Sequence, residues 1–242
     1  MVIKIRILLF SIIYTTILNA QSVKVLYTEK TILPDEVLNQ LSDCEKENLL
    51  QTIKPETHVL IYSDEKSVFF PCSESNFKNI EKTNISQVQF STNTEKLGIT
   101  ESIIYKNFVK NIFRQELTFL SVRYSIRDTL TVLNWNIYEE ETKMIAGYIC
   151  KKATCNFSGQ NITAFFTPEI KAEDGPDMYC GLNGLILELI SNKKIYTATK
   201  IKFIDDIKIN PPLNRTNFIS RTSFIRQVYN SKCIECEEKN NK

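Results

Sequence analysis

Histidine is nearly absent from this sequence, since His58 is the only one among 242 residues. Histidine is the usual general base near neutral pH. A Ser–His–Asp triad or a Cys–His pair would therefore depend on this one residue. A metal site with two histidines is excluded. His58 lies in Thr57-His-Val-Leu-Ile61, a strand-like stretch with no motif around it. We expect it to be a histidine on the surface of a strand.

Glycine is also scarce, with six residues, five of which lie between Gly147 and Gly184. The backbone therefore has its special conformational demands in that part of the chain. Gly147 falls inside a strand-like pattern, which indicates a β-bulge or a close backbone approach. Gly184 precedes the apolar stretch Leu185–Leu189, and we expect it to be required for a positive φ or for an aromatic ring packed on bare backbone.

Long apolar runs are absent after residue 20, so no later segment approaches the length of a membrane-spanning helix. Residues 1–20 combine a basic start, an apolar run from Ile7 to Leu18 and a small residue, Ala20, before Gln21. This order predicts a secretory signal peptide, with Gln21 as the first residue of the mature protein. An N-terminal membrane anchor is the alternative, but the run is shorter than a bilayer requires.

A basic surplus is also absent. The whole chain has 30 Lys and Arg against 28 Asp and Glu, and removing Lys4 and Arg6 with the signal leaves no net charge. Nucleic-acid binding requires a basic stripe or surplus, so we predict no nucleic-acid partner.

Seven cysteines are present, an odd number, and disulfides are possible in an exported protein. Cys233 and Cys236 form a CxxC in a charged C-terminal tail, without the strand–helix context that activates a redox thiol. A local disulfide is the main interpretation, and an unpaired tail or redox chemistry are alternatives. A zinc site would need a second ligand pair. The sequence therefore predicts no metal and no cofactor.

The remaining pattern is that of a β protein. Alternating segments and turn residues predict hairpins around Ser63–Lys66, Ser158–Gln160 and Ser191–Lys193, and two further strands at Leu117–Ile126 and Thr129–Ile137. Consecutive hairpins form an antiparallel meander. We expect a mainly β fold, with the meander forming a curved sheet, half-barrel or bowl and with one or two minor helices. We expect residues 21–210 to form the β-rich domain and residues 211–242 to form a C-terminal extension and charged tail.

A set of short blocks then follows in order. They are Trp135-Asn-Ile137, Lys143-Met-Ile-Ala-Gly-Tyr-Ile-Cys150, Ala164-Phe-Phe-Thr-Pro-Glu-Ile170, Asp174-Gly-Pro176 and Gly181-Leu-Asn-Gly-Leu-Ile186. Their order and spacing resemble the GLPGLI family of exported bacterial proteins. Asn183 stands where that family has proline, and Phe165 stands where tryptophan is common. Both residues suit the same backbone, because asparagine tolerates a turn and phenylalanine can fill an aromatic pocket.

The resemblance implies an exported protein of the periplasm or outer membrane, with no established reaction. We therefore expect a non-enzymatic binding or accessory module whose partner is an unknown envelope protein. The alternative is a carrier that holds a lipid or other apolar ligand in a curved sheet. A hydrolase that uses paired carboxylates is less favoured, because no spacing specifies a facing pair. The candidate structural or binding motif consists of Trp135, Gly147, Cys150, Phe165, Gly175, Pro176, Gly181 and Gly184.

Overall fold

The computed structural model describes residues 22–80, 99–205, 207–213 and 216–228. The predicted signal peptide, its cleavage site before Gln21, and the CxxC at Cys233 and Cys236 lie outside these residues. No helix in the described part of the chain is long and apolar enough to cross a membrane.

The fold is mainly β, as predicted, and its strands form one twelve-stranded sheet. The strands are β1 (Ser22–Thr31), β2 (Glu56–Ser63), β3 (Lys66–Pro71), β4 (Ile99–Asn107), β5 (Ile112–Phe119), β6 (Val122–Asp128), β7 (Asn136–Ile145), β8 (Tyr148–Phe157), β9 (Gln160–Thr167), β10 (Leu185–Ile190), β11 (Lys194–Ile204) and β12 (Phe218–Ile219). The short helices are α1 (Asp35–Asn39), α2 (Asp43–Thr52), α3 (Glu74–Asn79) and the helical residues 221–228. These are more helices than the one or two expected.

Two antiparallel meanders make up the sheet. Its strand order is β12-β6-β5-β4-β3-β2-β1-β11-β10-β9-β8-β7, so that β1–β6 form one meander and β7–β11 the other. The first strand of one meander pairs with the last strand of the other, since β1 and β11 are antiparallel neighbours. Among the described strands, only β12 pairs in parallel, with β6. The antiparallel sheet therefore includes β1–β3, which precede the strand predicted at Leu117–Ile126.

Four hairpins of the sheet have two-residue turns in which both residues take a positive φ. The turn residues are Asp64-Glu65, Leu120-Ser121, Ala146-Gly147 and Ser158-Gly159. Such turns match the right-handed twist of the strands that they join. They correct three expectations: the first hairpin loop has two residues rather than four, Leu117–Ile126 is split between β5 and β6, and Gly147 lies in a turn rather than in a bulge.

The sheet buries apolar side chains on both faces. The main core contains residues from strands as distant in the sheet as β3 and β9, such as Phe69 and Phe166, which requires the sheet to curve around it. The opposite face of β1–β4 packs against Phe77 of α3 and Ile209. A third cluster joins β5 and β6 to Ile219 and to Phe224 of the C-terminal helical residues. The packed structure thus continues past residue 210.

Candidate functional site

The motif blocks lie around the segment 168–184, which connects β9 to β10 and contributes Ile170 and Leu182 to the main core. Gly175 and Pro176 are buried within this segment. Cys150 is buried on β8. Trp135 lies in the coil before β7 rather than in the expected strand, and its indole N–H donates to the carbonyl of Cys180 at 3.0 Å. These positions make the motif part of the packed structure.

A buried lysine fixes this segment to the other meander. The Lys106 ammonium on β4 forms an ion pair with the Asp174 carboxylate, and both side chains are fully buried. The same ammonium donates to the carbonyl oxygens of Gly175 and Asp177, each at 2.9 Å. Because a buried charge is stable only when it is paired and hydrogen-bonded, these contacts hold the segment in one place. The sequence gives no local signal for this pair, because its two members are far apart in the chain.

The glycines of the motif differ in what restricts them. A Cβ on Gly184, where φ is +148°, would overlap the carbonyl oxygen of Thr167 and lie 2.9 Å from the Cα of Pro168. The close neighbour is therefore the backbone of Thr167 and Pro168, not an aromatic ring. A Cβ on Gly175 would lie 2.7 Å from the Cβ of Ile186. A Cβ on Gly147 or Gly181 would meet no atom within 4 Å, so that only their positive φ favours glycine there.

Phe165 on β9 is half-buried, as is Trp135, whereas Gly147 and Gly181 are the exposed residues of the motif. The Lys143 ammonium lies 5.3 Å from the centre of the Phe165 ring and forms a 2.6 Å ion pair with Glu188. Phe165 thus packs under an ion pair between β7 and β10.

His58 is buried rather than on the surface, with 7% of its area exposed. Its ring stacks on Phe69 at 5.1 Å, and its Nε2 lies 3.6 Å from Glu29 Oε2. Burial lowers the pKa of His58 and outweighs the opposing effect of the Glu29 carboxylate. Burial would raise the pKa of Glu29, but the ammonium of Lys194 and the nearby His58 hold it below its usual value.

Glu29, Glu56 and His58 could together hold a divalent metal ion, because their ligand atoms all lie within 4.8 Å of one another. The Lys194 ammonium already lies 3.0 Å from Glu29 Oε1 and supplies a positive charge at this place. The arrangement therefore serves as a buried polar network across β2, β1 and β11. Glu29 is only 1% exposed, so a substrate cannot reach its carboxylate directly.

The cysteines within the described residues are free thiols, with Cys44 exposed and the other four buried. Burial raises the pKa of Cys72 and of Cys150 to about 11, and it also raises the pKa of Cys155 and Cys180. A thiol with a raised pKa is a poor nucleophile, because the thiolate is the reactive form.

The described residues also form a groove of about 780 Å³, which we call the basic groove. It lies where the ends of β3–β6 meet the segment 207–211 and β12. Its lining residues are Ser63, Asp64, Lys66, Tyr105, Asn107, Lys110, Ile112, Arg114, Arg127, Ile207, Lys208, Ile209, Asn210, Pro211 and Phe218. Five of them are cationic and one is acidic. Sequence reasoning missed this site, because its cations come from five separate parts of a chain without a basic surplus.

Two arginines form one wall of the basic groove. Arg114 on β5 is directly opposite Arg127 on β6 in the antiparallel register. The ring of Phe218 lies 4.8 Å from the guanidinium carbon of Arg114 and 5.7 Å from that of Arg127. Arg114 also donates to the carbonyl of Pro212 at 2.8 Å. The parallel strand β12 thus places an aromatic ring against two guanidinium groups.

Comparisons with known proteins agree with this architecture. The family model described as "N-glycanase peptide, N-terminal domain" matches residues 45–221. Solved structures of PNGF-II in the P21 and C2 space groups align with TM-scores of 0.56 and 0.55, at 17% and 18% sequence identity. Each alignment covers 87% of this chain and 33% of the solved chain, so that this chain spans about a third of their length. A comparison with curated proteins gives no significant match.

Proposed function

The chain belongs to the family of N-terminal domains of N-glycanase peptides, and from this premise we propose that it is a non-enzymatic module that binds glycans. The family match over residues 45–221 is the observation that carries the proposal. The similar solved structures are of PNGF-II, and this chain spans about a third of their length. A chain of about a third of their length could be a module that binds the substrate of a separate catalytic unit.

The chemistry of the described residues supports a role without catalysis. His58 is buried in an aromatic and acidic environment, and its Nδ1 has no hydrogen-bond partner that could orient the ring as a base. Glu29 has the lowered pKa of an ion-paired carboxylate, whereas a general acid requires a raised one. The buried thiols have raised pKa values. None of these groups combines access to substrate with the protonation state that catalysis requires.

We further propose that the module is exported to the periplasm or outer membrane, where it accompanies an envelope protein. The signal-like residues 1–20 and the resemblance to the GLPGLI family support this location. Carriage of an apolar ligand is less well supported. The interior between the strands is filled by side chains such as Phe69 and Phe166.

To test the proposal, the purified mature protein is incubated with an N-glycosylated peptide, and both binding of the peptide and release of its glycan are measured. Isothermal titration calorimetry should show binding of the glycopeptide and weaker binding of the same peptide without its glycan. Mass spectrometry should show an intact glycopeptide after prolonged incubation, beside a positive control with an active N-glycanase.

Two results would contradict the proposal. Equal affinity for the peptide with and without its glycan would exclude glycan binding. Release of the glycan, abolished by His58→Gln or Glu29→Gln, would show that the buried network is catalytic and that the protein is an enzyme.

A further inference from the structure

The basic groove has an excess of positive charge that the protein itself does not balance within the lining. Lys66, Lys110, Arg114, Arg127 and Lys208 line it, against the single acid Asp64. Asp64 is already paired with Lys66, at 2.6 Å. The whole chain has a formal net charge of only +2, so this concentration of cations is a local arrangement rather than a consequence of composition.

The facing arginines strengthen this argument. Like charges directly opposite each other in an antiparallel pair destabilise a sheet, yet Arg114 and Arg127 occupy such positions. Glu116 offsets part of this repulsion, because its Oε1 lies 3.5 Å from the Arg114 guanidinium while its Oε2 accepts a hydrogen bond from Ser125 at 2.5 Å. An anionic group placed at this wall would reduce the repulsion between the two guanidinium groups.

The two guanidinium groups are also partly oriented before any ligand binds. Arg114 is held by the carbonyl of Pro212 and by the face of Phe218. Arg127 lies over the same ring and is exposed to solvent. Guanidinium groups bind carboxylate, sulfate and phosphate through paired hydrogen bonds. Because their side chains are already ordered, less conformational entropy is lost on binding.

We infer that the basic groove binds an acidic oligosaccharide, through sulfate, phosphate or carboxylate groups on its sugars. The anionic chemistry follows from the lining, and the saccharide assignment rests on the proposed function. A volume of about 780 Å³ lies within the range of sites for small organic ligands and is far larger than a single oxyanion. The ligand therefore extends along the groove from the arginine wall towards Lys110 and Lys208.

The test measures the affinity of the mature protein for a sulfated heparin hexasaccharide, for neutral maltohexaose and for inorganic phosphate. The groove variant carries Lys110→Ser and Arg127→Ser, two exposed side chains that line the site. The control variant carries Lys171→Ser and Lys193→Ser, which remove the same charge from exposed positions outside the lining. Lys208→Ser is a second groove variant, in case the first one does not fold.

We expect the sulfated hexasaccharide to bind at least about tenfold more tightly than maltohexaose, because one strong charge-assisted hydrogen bond is enough to change the dissociation constant tenfold. The groove variant should lose about tenfold or more in affinity, and the control variant less than about threefold, because salt screens distant charges. Affinity should also fall as salt concentration rises.

Other outcomes overturn the inference in distinguishable ways. Equal losses in the groove and control variants would show that the groove is not the site. Equal binding of the neutral and sulfated sugars, unchanged in the groove variant, would overturn the groove assignment while leaving glycan binding intact. Binding of inorganic phosphate at the groove without binding of either sugar would overturn the saccharide assignment and count against the proposed function.

Discussion

Replacement of Gly184 tests the packing of the motif most directly. At φ +148°, a Cβ on this residue would overlap the Thr167 carbonyl oxygen and lie 2.7 Å from the carbonyl carbon. The obstructing atoms are backbone at the end of β9, so they cannot move aside as a flexible side chain could. We therefore expect Gly184→Ala to disturb the junction of β9 and β10.

The matched control is Gly181→Ala. Gly181 also has a positive φ, +89°, but a Cβ there would meet no atom within 4 Å. The control should cost about 1 kcal/mol, the usual penalty for a side chain in this conformation. Gly184→Ala should cost the same amount plus the overlap, about 3–5 kcal/mol in all, by analogy with strained backbone and overpacked sites. Gly184→Val should cost at least as much.

Urea unfolding followed by fluorescence measures both variants. Trp135 is the only tryptophan in the chain and contacts Cys180 in the same segment, so it reports on this region. Gly184→Ala should unfold at a clearly lower urea concentration than Gly181→Ala, with an unchanged slope. Equal midpoints would refute the argument that close backbone packing makes Gly184 necessary.

Two further predictions concern buried charges. Lys106→Met should lower the free energy of unfolding by about 3–5 kcal/mol, because it leaves Asp174 buried without its cation. The double variant with Asp174→Asn should recover part of this loss. Urea midpoints that show no recovery would contradict the pairing of Lys106 with Asp174. Acidification from about pH 7.5 to about pH 5.5 should lower the urea midpoint. The pKa of His58 is lowered in the folded protein, whereas in the unfolded chain His58 takes up a proton near pH 6.5. Protonation therefore stabilises the unfolded chain relative to the folded protein as the pH falls. His58→Gln should reduce this pH dependence, and an unchanged dependence would show that another group is responsible.

The parts of the fold that the sequence predicted are those with local signals. The hairpin of β10 and β11 follows from alternating apolar residues around Ser191–Lys193, and the hairpin of β8 and β9 follows from Ser158-Gly159. The mainly antiparallel β architecture followed from such hairpins and is confirmed. The resemblance to the GLPGLI family stays a prediction beside the family match.

The missed features lack such local signals. Leu120 and Ser121 form a tight turn with positive φ values although neither is glycine or asparagine, so that β5 and β6 were predicted as one strand. Asp174 pairs with a lysine on a strand of the other meander, and His58 is buried by Phe69 and Tyr196 from different strands. The basic groove likewise depends on long-range pairing, which composition and spacing do not specify.

The most direct test of the central claim is an NMR titration of the mature protein with an N-glycopeptide that carries an acidic glycan. Amide shifts should concentrate at Lys110, Arg127 and residues 207–210 in the basic groove, and the glycopeptide signals should remain those of an intact ligand. Shifts centred on Glu29 and His58, or the appearance of free glycan in the spectra, would contradict the claim that the protein binds glycans without cleaving them.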